Sequence, residues 1–278
     1  MNIIKQVEDI LKKADIEEYK KEAQILITEI SNITLEDIYL GKEIQNKDKI
    51  IKLANKRAQD KIPLQRLIGY CYFMNEKYKI DNVLIPRDET ELLVIEAYNL
   101  VKDKDCINIL DIGIGSGCIS CALAKKLLEK NIEILGIDIS SDALITALDN
   151  INSLNLERKV IVRKSDLFSK IRDNEKFDLI ISNPPYIPIK EKDNLQFEVK
   201  NFDPELALFT KDEFGLEFYE KIINDAPKFL KPNGYIAFET GINQAQKIKE
   251  ILGENFEDIK IINDLSNIER VISAKIKP

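Results

Sequence analysis

From about residue 90 onward, the apolar residues of this chain switch repeatedly between two periods. That alternation restricts the fold more than any single motif. Helical spacing over 89–102 gives way to a strand at 107–112, a helix at 117–130 and a strand at 132–138. A helix at 141–154 and strands at 159–163 and 177–182 follow. After an irregular stretch come a helix at 215–230, a strand at 234–240, a helix at 242–252, and strands at 256–263 and 269–276. Strands joined by helices pack as a parallel sheet covered on both faces, because each crossover helix must bury its apolar side. The pattern therefore predicts an α/β fold with a doubly wound, mostly parallel sheet of seven strands. The last two strands lie close together, which predicts an antiparallel pair at one sheet edge.

The first 62 residues read differently. Ile3, Ile4, Val7, Ile10 and Leu11 fall at helical spacing, as do Ile25, Leu26, Ile27 and Ile30. Thr34, with Asp37 three residues on, approximates a capping box. A further helix spans about 46–60 and stops near Pro63. Residues 67–86 alternate like strands around central turn residues, which predicts a hairpin. The expected organisation is a helical bundle over 1–65, a hairpin linker over 66–90 and an α/β domain over 91–278.

Composition narrows the chemistry. The net charge is −7, so a nucleic-acid partner is not the default expectation. No apolar run approaches the length of a membrane span, and the acidic, amphipathic N-terminus is neither a signal nor a transit peptide. The expectation is a cytoplasmic protein. Histidine is absent, which removes His-ligated metal sites, His general bases and Ser-His or Cys-His nucleophiles. Cys118 and Cys121 form a lone C-x-x-C inside an apolar helix pattern, and we read them as buried structural thiols. No metal site is expected.

The first βα turn carries the first chemical signal, "NILDIGIGSGCIS" over 108–120. A buried strand delivers Asp111, then Gly113, Ile114, Gly115, Ser116 and Gly117, then a helix. Glycines here let backbone approach a ligand at the helix N-terminus. The dinucleotide fingerprint would need a glycine at 118, where Cys118 stands. A loop that does not cradle a pyrophosphate suits a ligand without one, such as S-adenosylmethionine. The second strand ends in Asp138, placed to accept from ribose hydroxyls, and the third in Asp166, where an acid could accept from an adenine amino group with Leu167 packed on the ring. The Asp166 pattern is a weak signal alone, but three successive strand ends each deliver an acid to one sheet edge.

The fourth strand, "FDLIIS", delivers Asn183-Pro184-Pro185-Tyr186 to that same edge. Asn183 and Pro184 both precede a proline, which holds the segment extended and stiff. Prolines donate nothing, so the segment presents carbonyls and the Asn183 amide oxygen, all acceptors. Acceptors beside a methyl donor suit a planar NH₂ group as the methyl acceptor, with Tyr186 stacked on the group that carries it. Such a nitrogen is not deprotonated near neutral pH. Orientation and charge stabilisation, rather than a strong base, must then carry the reaction.

These residues reach a known family. "PLQRLIGYCYF", "LIPRDETELLV", "DIGIGSG", "DIS", "SNPPYI", "FDPELALF" and "FETGINQ" over 63–272 resemble the peptide chain release factor N5-glutamine methyltransferases. The resemblance covers about three quarters of the chain, and Asp264 with Arg270 resemble the family's closing pair. It implies a Rossmann-like class I methyltransferase domain behind a small helical domain that docks the release factor. It also implies transfer of a methyl group from S-adenosyl-L-methionine to the glutamine of a Gly-Gly-Gln loop. On this resemblance Asp111, residues 113–117, Asp138, Asp166, Leu167 and Asn183 bind the cofactor or shape its pocket. Asn183, Pro184 and Tyr186 are catalytic. Asn183 through Tyr186 grip the glutamine, and Arg87, Glu89 and Thr90 form the wall beside the cofactor. Asp88, Asp203 and Thr240 depart from the family pattern, where a proline, a glutamate and an aliphatic residue stand. The expected partner is a release factor, with no membrane and no direct nucleic-acid contact, acting on a monomeric enzyme.

Two other readings remain open on sequence. The Asn-Pro-Pro-Tyr segment also suits amino-group methylation of DNA or RNA, which would need a basic recognition face. Here the basic pairs Lys12-Lys13, Lys20-Lys21 and Lys125-Lys126 are scattered among acids. A non-catalytic module that only retains the cofactor would not need an intact Asn183 with both prolines.

Overall fold

The computed structural model describes residues 3–278. The described residues divide into two compact units, 3–70 with Gln196–Phe202, and Cys71–Leu195 with Asp203–Pro278.

The first unit is helical. Its elements are α1 (Ile3–Lys13), α2 (Tyr19–Ser31), α3 (Leu35–Tyr39), α4 (Lys47–Asp60) and α5 (Leu64–Ile68). Val7, Leu11, Leu26, Ile27, Ile50 and Ala54 form its core from α1, α2 and α4. The capping box at α3 is present in full: Asp37 N–H donates to Thr34 Oγ1 and Thr34 N–H donates back to Asp37 Oδ2. Arg57 is buried between two carboxylates, with 2.7 Å contacts to Glu22 and Glu198. The sequence reading stopped helices at 62, but α5 follows Pro63, whose fixed φ suits the residue before a helix.

Strand β1 (Tyr70–Phe73), whose residues from Cys71 on belong to the second unit, pairs with β2 (Glu76–Lys79) as the expected hairpin. Then come α6 (Thr90–Val101), β3 (Cys106–Ile112), α7 (Cys118–Lys126), β4 (Asn131–Asp138), α8 (Ser141–Ser153), β5 (Val160–Lys164) and β6 (Phe177–Ser182). The stretch read as irregular carries a two-residue strand β7 (Ile187–Pro188), the short helix α9 (Phe197–Phe202) of the first unit, and β8 (Phe209–Thr210), which pairs with β7. The chain closes with α10 (Glu217–Asp225), β9 (Leu230–Glu239), α11 (Ala245–Leu252), β10 (Phe256–Asn263) and β11 (Glu269–Ile276).

The seven-stranded sheet has the order β10-β11-β9-β6-β3-β4-β5. It is parallel from β9 to β5, while β11 pairs antiparallel with both β9 and β10. The expected antiparallel pair at one edge is therefore present. The strands are near-continuous apolar runs because both faces are covered. Ile107, Ile109, Ile132, Ile134, Leu179 and Ile181 pack into one core with α6, α7 and α8. Their neighbours Leu110, Ile112, Leu135, Ile137 and Ile180 pack into a second core with α10 and α11.

Helix boundaries moved where backbone chemistry overrides the apolar pattern. The helix read as 215–230 ends at Asp225, and Ala226-Pro227-Lys228 continue it as a single tighter turn, since Pro227 cannot donate an intrahelical bond. The helix read as 242–252 starts at Ala245, because Gly241–Gln244 form a turn closed by the Gln244 side chain. Cys118 and Cys121 are free, buried thiols in α7. No helix among the described residues is long and apolar enough to cross a membrane.

Candidate active site

The chain builds β3, β4 and β5 outward on one side, then returns to place β6 on the other side of β3. A crevice opens at such a reversal of strand order, at the carboxyl ends of the strands. Ile112 of β3 is in register with Ser182 of β6, and Ser182 with Phe238 of β9. The next residues, Gly113, Asn183 and Glu239, therefore emerge side by side. A cavity of 420 Å³ lies at this edge.

One wall is the glycine loop. Gly113, Gly115 and Gly117 have φ of 76°, 55° and 80°, a left-handed region that side chains resist, which accounts for glycine at all three positions. The loop is anchored by Asp138 at the end of β4. Asp138 Oδ2 accepts from Gly115 N–H at 3.1 Å and Oδ1 accepts from Ser140 N–H at 2.8 Å. Burial raises the Asp138 carboxyl above its ordinary range, while these backbone donors pull it back. Each of its oxygens keeps a lone pair for a further donor. Beneath the loop, Asp111 is fully buried and accepts from Ser120 Oγ at 2.6 Å. Burial pushes it up to about 7.

A second wall follows β5. Leu167 holds φ of 44°, an unfavourable conformation for a side-chain-bearing residue. The Ser165 hydroxyl supports it, donating to Leu167 O at 2.6 Å and accepting from Lys170 N–H at 3.1 Å. Asp166 is exposed beside it.

The third wall is Asn183-Pro184-Pro185. The Asn183 Nδ2 donor lies 3.5 Å from Thr90 Oγ1, at the limit of hydrogen bonding, so its Oδ1 is the end left free. Tyr186 is held from behind. Gln244 Nε2 donates to Tyr186 O at 2.8 Å and Phe214 O at 2.9 Å, while Gln244 Oε1 accepts from Gly241 N–H at 3.0 Å. Burial raises the Tyr186 hydroxyl well above its usual value, so it stays neutral. The edge as a whole offers fixed acceptors, with the Tyr186 ring held beside them.

A family model described as a methyltransferase domain matches residues 103–273. A release factor glutamine methyltransferase of Fusobacterium nucleatum is 41% identical over 240 residues, spanning 85% of this chain and 67% of the relative. One of Clostridium acetobutylicum is 34% identical over 272 residues, spanning 95% and 94%. The chain belongs to the release factor glutamine methyltransferase family. This methyltransferase shares its fold with the hMettl16 catalytic domain, solved with the MAT2A 3′UTR hairpin 6, at a TM-score of 0.58 and 17% identity over 85% of this chain and 84% of that one.

Of the residues singled out from the sequence, Gly113, Ile114, Gly115, Ser116, Asp138, Asp166, Leu167, Asn183, Pro184, Pro185 and Thr90 line the cavity. Asp111, Gly117, Tyr186, Arg87 and Glu89 stand behind or beside it rather than among its lining residues. Arg87 Nη2 pairs with Asp203 Oδ2 at 2.6 Å. Glu89 lies 3.5 Å from Arg270, whose Nε also donates to Asp264 at 2.9 Å, the closing pair noted in the sequence. Sequence reasoning missed the contribution of Pro204, Leu206, Ala207 and Phe209 to the cavity, because their stretch has no regular period. It quoted Glu239 only within a motif and gave it no role.

Proposed function

We propose that this methyltransferase transfers a methyl group from S-adenosyl-L-methionine to the side-chain amide nitrogen of the glutamine in the Gly-Gly-Gln loop of peptide chain release factors. One observation carries the reading: Asn183, with its amide NH₂ turned toward Thr90, leaves Oδ1 as a free acceptor next to a loop of positive-φ glycines and the anchored acid Asp138.

The residues present fit the cofactor. Gly113 has open space where a Cβ would stand, so the loop backbone is accessible. Asp138 has lone pairs to accept from a pair of vicinal hydroxyls, Leu167 supplies an apolar surface for a base, and Asp166 an acceptor beside it. S-adenosylmethionine, when bound, supplies an electrophilic methyl group on a sulfonium. Asn183 Oδ1 and the Pro184 carbonyl each accept one N–H of the glutamine amide, which aims the nitrogen lone pair away from them. They also stabilise the positive charge that develops on nitrogen. Pro184 and Pro185 hold these acceptors stiffly, so little orientation is lost at the moment of reaction. Tyr186 packs against the amide plane. Once methylated, the cationic amide nitrogen is strongly acidic and gives its proton to water, so the step asks for no histidine base.

The relatives are named as release factor glutamine methyltransferases, and two of them share most of their length with this chain. The helical unit serves the protein substrate in this reading, since every cofactor-facing residue lies in the second unit. The test is radiolabel transfer from S-adenosylmethionine to a purified bacterial release factor. Wild type is expected to label it. Asn183→Ala is expected to keep cofactor affinity and lose about 10²-fold or more in kcat. Equal turnover by Asn183→Ala contradicts the role assigned to its side chain.

A further inference from the structure

Glu239 ends β9 as a buried carboxylate within the second unit, 149 residues from the side chain it contacts. Thr90 Oγ1, also buried, donates to Glu239 Oε2 at 2.5 Å. The far side of the same Thr90 oxygen faces Asn183 Nδ2 at 3.5 Å. Tyr219 Oη donates to the Glu239 backbone carbonyl at 2.8 Å, which fixes the strand end.

We propose that Glu239 is a positioning residue that, by accepting from the Asn183 amide directly and through the Thr90 hydroxyl, decides which end of that amide faces the cavity. The inference rests on the reading that Asn183 Oδ1 accepts from the substrate amide, and it adds how that orientation is enforced. A threonine hydroxyl has one proton to donate. An ionised carboxylate has none, so in this pair the proton lies between Thr90 and Glu239. Thr90 Oγ1 is then only an acceptor toward Asn183, and only the NH₂ end of the amide can face it. Oδ1 is turned into the cavity.

Protonating Glu239 removes that rule. The carboxylic acid can donate to Thr90 Oγ1, which frees the hydroxyl proton to point at Asn183. A flipped amide then bonds as well as the original one, with Oδ1 facing Thr90 and a donor facing the substrate. Two donors opposite each other repel the glutamine NH₂. The cost is paid in turnover, because cofactor contacts are untouched.

The surroundings make this a pH-dependent device. Burial pushes Glu239 up to about 7, the Thr90 hydrogen bond lowers it, the negative Glu89 raises it, and Arg270 and the Asn183 amide lower it. Tyr186 and Tyr219 also face it, and burial raises both hydroxyls so that they remain neutral. The active arrangement therefore holds above about pH 7 and is lost as pH falls through that value. Asp111 is also pushed up to about 7, so the acidic limb is assigned by its disappearance in a Glu239 variant rather than by its midpoint.

The experiment measures kcat and KM for a purified bacterial release factor, and S-adenosylmethionine affinity by calorimetry, with the full-length chain from about pH 6 to about pH 8. Glu239→Gln, which mimics the protonated acid in shape, is expected to lower kcat about 5- to 10-fold at the upper pH, the worth of one oriented hydrogen bond. KM and cofactor affinity should stay within about twofold, and the acidic limb should vanish. Thr90→Val, which removes the hydroxyl while keeping the volume, should shrink the limb and leave the part carried by the direct Glu239–Asn183 contact. A Glu239→Gln enzyme with wild-type kcat and an intact limb overturns the proposal while wild-type turnover still supports the reading of Asn183. If Glu239→Gln does not fold, Thr90→Val decides: a limb as large as the wild type's in that variant, or a flat wild-type kcat, overturns the proposal, and a reduced limb supports it. Absence of any wild-type transfer takes down both the proposal and the reading beneath it.

Discussion

Ser182 Oγ donates to the Ile112 carbonyl at 2.6 Å, across the register of β6 and β3. This bond joins the last residue before Asn183 to the last residue before Gly113. It fixes the spacing between the acceptor segment and the glycine loop. The two halves of the proposed reaction, methyl donor and methyl acceptor, are thus tied together through one buried hydroxyl.

Ser182→Ala should lower stability by about 1–2 kcal/mol, the worth of one buried hydrogen bond. It should also lower kcat/KM for release factor through a looser spacing. Chemical denaturation and steady-state kinetics check both. An enzyme with unchanged stability and kinetics would show that the bond positions nothing.

Asp138→Ala should weaken S-adenosylmethionine binding by roughly 2–4 kcal/mol, because an ionised acceptor shared with the Gly115 and Ser140 amides is lost. Calorimetry measures this directly. Unchanged affinity would remove Asp138 from the cofactor site.

Gly215→Ala should damage the Tyr186 segment. Gly215 has φ of 75°, and an added Cβ would stand 2.0 Å from Tyr186 O and 2.4 Å from Gln244 Nε2. Something must shift, and the Gln244 clamp on Tyr186 is the nearest element. The expected result is a stability loss of about 1–3 kcal/mol together with a fall in kcat, read by thermal unfolding and turnover.

Asp111→Asn should stabilise the protein increasingly as pH rises. The Asp111 carboxyl moves from an ordinary 3.8 to about 7 on folding, mainly through burial. Between those values the unfolded chain has lost the proton that the folded chain keeps, so wild-type stability falls with rising pH by about 1.4 kcal/mol per pH unit from this group. The asparagine can still accept from Ser120 and carries no such penalty. Melting temperatures of the two proteins at about pH 5 and about pH 8 test this, and a difference independent of pH contradicts it.

Much of the fold was legible in the sequence because its signals are local. The alternation of periods marks the seven strands, and the near-continuous apolar runs of β3, β4 and β6 mark strands buried on both faces. Boundaries failed where a local exception ended a helix, as at Pro227, or where a side chain closed a turn, as Gln244 does. The glycine loop and Asn183 were readable for a similar reason, since each motif is contiguous. Glu239 was not, because its meaning lies in Thr90, an element far away in sequence. Gln244 is the same case, its three carbonyl partners lying 29 to 58 residues away. Cavity residues such as Leu206 and Phe209 sit in a stretch whose shape is set by packing rather than by period.

Mass spectrometry of a release factor treated with the purified enzyme and S-adenosylmethionine tests the central claim most directly. The account predicts a gain of one methyl group on the glutamine of the Gly-Gly-Gln loop, absent when that glutamine is replaced and strongly reduced with Asn183→Ala. An unmodified glutamine, with methyl groups appearing instead on DNA or RNA offered in the same reaction, would contradict it.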